Sequence, residues 1–377
     1  EHLGLEDYIP PFASANRLDI LKGVNYASGS AGILNETGQH VGDRIPLDMQ
    51  LRNHKVTISR ITSILGNSTT GHLNNCLYSV YAGSNDYMIN YYMPDMYQSG
   101  TTSTPEQYTD KLIAQYTKQL KRLHEHGARK VVLFGLSPLG CLPPVLQQSS
   151  DQCSENINSA LQLFNSKVKS LVDQFNKNLT DSKFIFVNTY SIVSEHLSAL
   201  GTGLKKAPCC GVGQMMFCLP FSVPCSDRNG FAFWDNAHPT EAANKVLASR
   251  AYIAKSPNDT HPFDISTLVQ ATISPGPGGT VDPPSQAGSN SSGVTPVWQG
   301  LGDTNPSPLA PTGEGEEGEG STGTTSSSNP SAIGNGFTEG EVGNAAPGVV
   351  GFNRGGLLVS LLVSCIVVIN VCNSLGL

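Results

Sequence analysis

Leu77-Tyr78-Ser79-Val80-Tyr81-Ala82-Gly83-Ser84-Asn85-Asp86-Tyr87 passes from an apolar, β-prone run through a glycine into a polar pair. Leu77–Ala82 reads as a buried strand, and Gly83 lets the chain turn sharply at its carboxyl end. Val24–Ala27, Lys130–Gly135 and Lys183–Asn188 read the same way. Apolar residues between these runs recur at helical spacing: Leu47, Leu51, Ile58, Ile61 and Leu65, then Tyr108, Leu112, Tyr116, Leu120 and Leu123. The second set follows a capping box of Thr104 and Gln107, with Pro105 at the first helical position. A third helix carries Ile157, Leu161, Phe164, Val168, Leu171 and Phe175, and a last one runs from Pro239 towards Ile253. Alternating strands and helices predict an α/β fold, a parallel sheet covered on both faces with its site at the carboxyl ends of the strands.

The apolar and aromatic clusters sit in residues 1–255 of the 377, whereas residues 256–355 are rich in Gly, Pro, Ser and Thr. The first segment predicts one folded domain and the second a disordered stalk. The net charge of −7, part of it from Glu314, Glu316, Glu317 and Glu319, leaves no basic footprint for nucleic acid. Cys141, Cys153, Cys209, Cys210, Cys218 and Cys225 contain no C-x-x-C pair, so disulfides are expected rather than a metal site. Cys209 and Cys210 should each pair elsewhere, because neighbouring Cα atoms are only about 3.8 Å apart. Cys76, in an apolar run, reads as a buried thiol. Sequons at Asn35, Asn67, Asn178, Asn258 and Asn290 add to the case for an oxidising, secretory route.

Three segments could carry chemistry. Asn85, beyond the Gly83 turn, could present its amide to a developing oxyanion, or simply close an Asx-turn. Gly23-Val24-Asn25-Tyr26-Ala27-Ser28-Gly29-Ser30-Ala31-Gly32 runs from strand into a small-residue loop with accessible backbone N–H groups. In Asp235-Asn236-Ala237-His238-Pro239-Thr240, Pro239 at the first helical position puts His238 at or near the N-cap. Asp235, three residues earlier, can fix the tautomer that leaves Nε2 as a base. A capping His beside a solvated Asp is the plainer reading.

Taken in chain order, the three segments resemble the second, third and fifth sequence blocks of the plant-type GDSL esterase/lipases, a branch of the SGNH hydrolases. Asp7-Tyr8-Ile9-Pro10-Pro11-Phe12, Gly135-Leu136-Ser137-Pro138-Leu139-Gly140-Cys141-Leu142-Pro143 and Phe233-Trp234-Asp235 leading into His238-Pro239-Thr240-Glu241-Ala242 extend the likeness over residues 1–255. The resemblance implies a three-layer αβα, flavodoxin-like sheet. It implies a hydrolase of carboxylic esters, lipid acyl or acetyl, that works without a cofactor through Ser, His and Asp. His238 would be the base, Asp235 its orienting carboxylate, and Asn85 with the Gly29–Ser30 loop the oxyanion donors. The family's nucleophile stands in a Gly-Asp-Ser-Leu block on the first strand, and no Gly-Asp-Ser occurs in this sequence; Gly42-Asp43 is followed by Arg44. Nor is there a Gly-x-Ser-x-Gly elbow. Since the sequence begins at Glu1 rather than Met, the expectation is a chain lacking that block and its strand, and therefore catalytically silent. The alternative is a non-catalytic relative that binds a ligand or partner at the cell surface.

Leu357–Cys372 is an apolar run of 16 residues, about 24 Å long as a helix against a hydrocarbon core of roughly 30 Å. With small residues at Asn344-Ala345-Ala346 and a spacer from Pro347 to Gly355, residues 356–377 suit a GPI signal better than a spanning helix, the third reading being a mis-joined segment, since such a tail is unusual for the resembled family. A secreted or cell-wall protein, tethered to the membrane where this tail serves as a GPI signal, is the expected setting; oligomeric state is not legible.

Overall fold

The computed structural model describes residues 2–5, 8–16, 18–199, 205–212, 216–273 and 367–371. Asp7, Asn290, residues 274–355 of the expected stalk and the small-residue site at Asn344–Ala346 lie outside them.

The sheet forms where the apolar runs lie. Strands β1 (Gly23–Asn25), β2 (Leu77–Tyr81), β3 (Lys130–Phe134) and β4 (Lys183–Val187) each fall within a residue or two of their expected bounds. β2, β3 and β4 pair in parallel, Leu77 opposite Lys130 and Lys130 opposite Lys183. Their side chains alternate between two cores. Tyr78, Val80, Val131, Leu133, Phe184 and Phe186 face one core, and Leu77, Val132, Ile185 and Val187 face the other. Period-two burial on both faces is what a sheet between two helical layers requires.

Helices α1 (Leu47–Leu65), α2 (Pro105–Glu125) and α3 (Glu155–Asn178) supply the first core, through Leu51, Leu112, Phe164 and Val168 among others. Helices α4 (Thr189–Ala199), α5 (Glu241–Tyr252) and α6 (Ile265–Gln270) supply the second through Ile192, Ala251 and Leu268. The capping box at the start of α2 is formed, Gln107 N–H donating to Thr104 Oγ1 and Thr104 N–H to Gln107 Oε1. The fold is thus the three-layer α/β arrangement the sequence predicts.

Four expectations need correction. The folded part runs past residue 255: strand β7 (Thr260–His261) pairs with β4, and α6 closes the second core. Asp259, fully buried, receives the Arg250 guanidinium and the backbone N–H groups of Lys255 and Ser256, which ties this Pro- and Ser-containing stretch to α5. Next, the α5 N-cap is Thr240, whose hydroxyl accepts from Ala243 N–H, and not His238. Pro239 instead bridges to Phe233, holding His238 outside the helix. Cys76 is buried as expected but disulfide-bonded, with a partner outside the described residues; an apolar setting buries half-cystines and thiols alike. Finally, Val367–Val371, inside the expected anchor run, forms a strand, β8, antiparallel to β1 on one side and β2 on the other. The sheet order is therefore β1-β8-β2-β3-β4-β7, and its interior place beside β2 is filled from the C-terminal end of the sequence. A run of β-branched residues suits a strand as well as an apolar helix.

Strands β5 (Lys205–Pro208) and β6 (Phe231–Phe233) form a separate parallel pair. The disulfides Cys141–Cys153, Cys209–Cys225 and Cys210–Cys218 use all six expected cysteines, with Cys209 and Cys210 diverging as their adjacency requires. Asn35, Asn67, Asn178 and Asn258 are all exposed.

Candidate active site

Beyond β2 the chain turns at Gly83, whose φ of 117° suits glycine and whose missing side chain would lie 3.2 Å from Leu136 and Phe164. That turn sends Asn85 and Asp86 inward, both buried. The Asn85 amide donates to Ala31 O at 2.7 Å, which ties it to the small-residue loop. Asp86 holds the same loop from its far side. Its carboxylate accepts from Ile33 N–H at 2.8 Å, Leu34 N–H at 3.0 Å and Thr37 Oγ1 at 2.7 Å. Gly32 must be glycine here, since a Cβ would fall 2.5 Å from Asp86 Oδ1. Ser30 sits in the left-handed region at φ 61° and is buried, whereas Gly29 is half-buried. Burial pushes the Asp86 carboxyl up to about 6, against the pull of its three donors.

The second group is built within one tight turn. Asp235 Oδ1 accepts from the backbone N–H of Ala237 at 2.8 Å and of His238 at 2.7 Å. Oδ2 lies 2.8 Å from His238 Nδ1. An acceptor carboxylate there places the imidazole proton on Nδ1 and leaves Nε2 with a lone pair. Burial alone would raise the Asp235 carboxyl, but the His238 ring and the two backbone donors outweigh it and hold it below the usual carboxylate range. Trp234 N–H donates to His238 O at 2.8 Å and closes the turn.

The structure thus brings the predicted residues together as two hydrogen-bonded groups: Asn85 with its loop, and Asp235 with His238. Serines Ser84 and Ser137, in loops after β2 and β3, join a different chain of hydroxyls. Ser84 Oγ donates to Tyr81 Oη at 3.3 Å, and Tyr81 Oη lies 3.3 Å from Ser137 Oγ.

Two contributors are not legible in the sequence. Phe217 stacks on the His238 ring, centroids 5.7 Å apart and planes 22° apart. It precedes Cys218 in a disulfide loop, and nothing local in the sequence couples it to residue 238. Asp86 could have been suspected only from its place beside Asn85. Among the described residues no group of three or more His, Cys, Asp or Glu could hold a metal ion, and no helix is long and apolar enough to cross a membrane.

Residues 1–251 match the family described as GDSL-like lipase/acylhydrolase. Two GDSL esterase/lipases of Arabidopsis thaliana are each 46% identical to the chain, over 277 and 280 residues. The matches cover 71% and 72% of this chain and 76% and 77% of those proteins. A third from the same plant is 44% identical over 281 residues, covering 72% of this chain and 78% of its own length. The chain therefore belongs to the GDSL-like lipase/acylhydrolase family.

Proposed function

We propose that the site is the acid–base and oxyanion portion of an ester hydrolase working by a Ser-His-Asp mechanism on lipid acyl or acetyl esters. The observation that carries this reading is the Asp235 carboxylate, pinned by two backbone N–H groups and 2.8 Å from Nδ1 of His238. Nε2 would take the hydroxyl proton of an attacking serine and return it to the leaving alcohol, with Asp235 stabilising the imidazolium between the steps. The Asn85 side chain and the backbone N–H groups at Gly29 and Ser30 would stabilise the oxyanion, an effect worth about 3–4 kcal/mol per donor. The serine itself has no Gly-Asp-Ser position in this sequence. Residues 1–377 alone would keep only the residual acceleration of such a site, about 10³–10⁴ over water. In a form of the protein that carries a Gly-Asp-Ser strand, hydrolysis of a short-chain nitrophenyl ester should fall by about 10⁶ in His238→Ala. Undiminished turnover would remove His238 as the base.

A second reading has its own support: β8 contributes Val-Val-Ile-Asn-Val, with no hydroxyl or thiol residue, to the interior of the sheet. A chain folded in that way would bind esters without cleaving them. Secretion and glycosylation at Asn35, Asn67, Asn178 and Asn258 are supported by the disulfides and by the exposure of those side chains. A GPI signal, which is cleaved off, and a sheet strand are exclusive fates for Val367–Val371. The intact mass of the mature protein separates them.

A further inference from the structure

The segment Cys218-Leu219-Pro220-Phe221-Ser222-Val223-Pro224-Cys225 is bounded by two half-cystines and contains no charged residue. Its apolar side chains point away from the protein. Among the ten large exposed hydrophobics of the described residues, Leu219, Phe221 and Val223 fall within five positions, with Phe221 fully exposed and Val223 at 89%. Scattered apolar residues are ordinary on a surface, whereas a cluster on one protrusion marks an interaction site.

The backbone makes this exposure deliberate. Ser222 N–H donates to Leu219 O, closing a four-residue turn with Pro220 at its second position and Phe221 at its third. Phe221 has φ 63°, the left-handed conformation that a turn of this type reserves for glycine or asparagine. An aromatic ring occupies the strained position, where it gains no intramolecular burial.

The loop is also fixed to the candidate site. Cys209 N–H donates to Phe233 O and Trp234 O, and Asn236 N–H donates to Met216 O. Phe217, adjacent to Cys218, stacks on His238. The protrusion therefore stands next to the general base and is ordered in advance by its disulfides.

We propose that the Leu219–Val223 loop is a lipid-surface anchor that inserts Phe221 and Val223 into an uncharged acyl interface and brings the His238 site to it. The choice of partner rests on the ester-hydrolase reading above. Three side chains on one turn offer on the order of 400 Å², too little for a stable protein–protein contact, which needs about 1,000 Å². A lipid surface accepts a small apolar protrusion and asks for no matching shape.

Co-sedimentation of the full chain with phosphatidylcholine vesicles tests this. The wild type should bind, and the double variant Phe221→Asn/Val223→Gln, which creates no glycosylation sequon, should partition at least about 10-fold more weakly. Asparagine tolerates the left-handed position, so this variant keeps the turn, and an unchanged thermal melt verifies that. Phe221→Trp should bind as the wild type does. Its added tryptophan emission should shift to the blue on vesicles. Equal binding of wild type and double variant would overturn the proposal, as would no binding of the wild type. So would a dimer that the double variant abolishes in the absence of vesicle binding. His238→Ala should bind vesicles normally, so a failed esterase assay and a failed anchor give different results.

Discussion

Asp86 ties the small-residue loop to the turn that carries Asn85, and it does so as a buried carboxyl that accepts from two backbone N–H groups and a hydroxyl. Burial lifts it from 3.8 to about 6, so the folded protein holds that proton more tightly than the unfolded chain. Its stabilising contribution is complete below about pH 4 and is lost as pH rises through 6, by about 3 kcal/mol at most. In urea unfolding, the stability of the wild type relative to Asp86→Asn should decline between pH 4 and pH 6.5. Parallel pH curves would contradict the buried-proton account. Phe217 gives a second residue-scale test. Phe217→Ala should release the His238 ring and abolish a slowly exchanging Nδ1–H resonance, which Phe217→Tyr should keep; a resonance unchanged in Phe217→Ala would exclude the positioning role. Asp235 and His238 were legible because three residues of sequence separate them and one turn joins them. Phe217 was not, because its contact depends on how two disulfides fold a distant loop over the ring.

At the scale of the element, the turn after β2 determines where Asn85, the proposed oxyanion donor, lies. Gly83→Ala forces a Cβ to 3.2 Å from Leu136 and Phe164 at φ 117°. The variant should lose about 1–3 kcal/mol of stability in a thermal melt. A melt identical to the wild type would show that the turn carries no strain. The strands and the long helices α1, α2 and α3 were readable from periodicity and caps, since the same residues set both local preference and burial. The start of α5 was misplaced for a physical reason. Proline is welcome at the first helical position, but here Pro239 is drawn into a bridge with Phe233 and Thr240 takes the cap. The end of the fold was misplaced because the buried Asp259–Arg250 pair, and not composition, holds residues 256–270 in the domain.

For the whole molecule, the telling feature is the interior position of β8. Three register pairs join it to β1 and five to β2, so its removal would separate those strands. Deleting residues 356–377 should lower the melting temperature by more than about 10 °C. An unchanged melt would mean that β1 and β2 do not depend on it. This pairing was not legible, because an apolar run carries no record of which distant strands will accept it. The family and the pairing of Asp235 with His238 were readable, and so was the lack of a Gly-Asp-Ser block. The central claim is that the 377-residue chain holds a base with no serine to deprotonate. Reaction with a fluorophosphonate, followed by peptide mass spectrometry, tests it most directly. The account predicts no stoichiometric adduct on any serine. An adduct on Ser84 or Ser137 that His238→Ala abolishes would contradict it and place the nucleophile inside the chain.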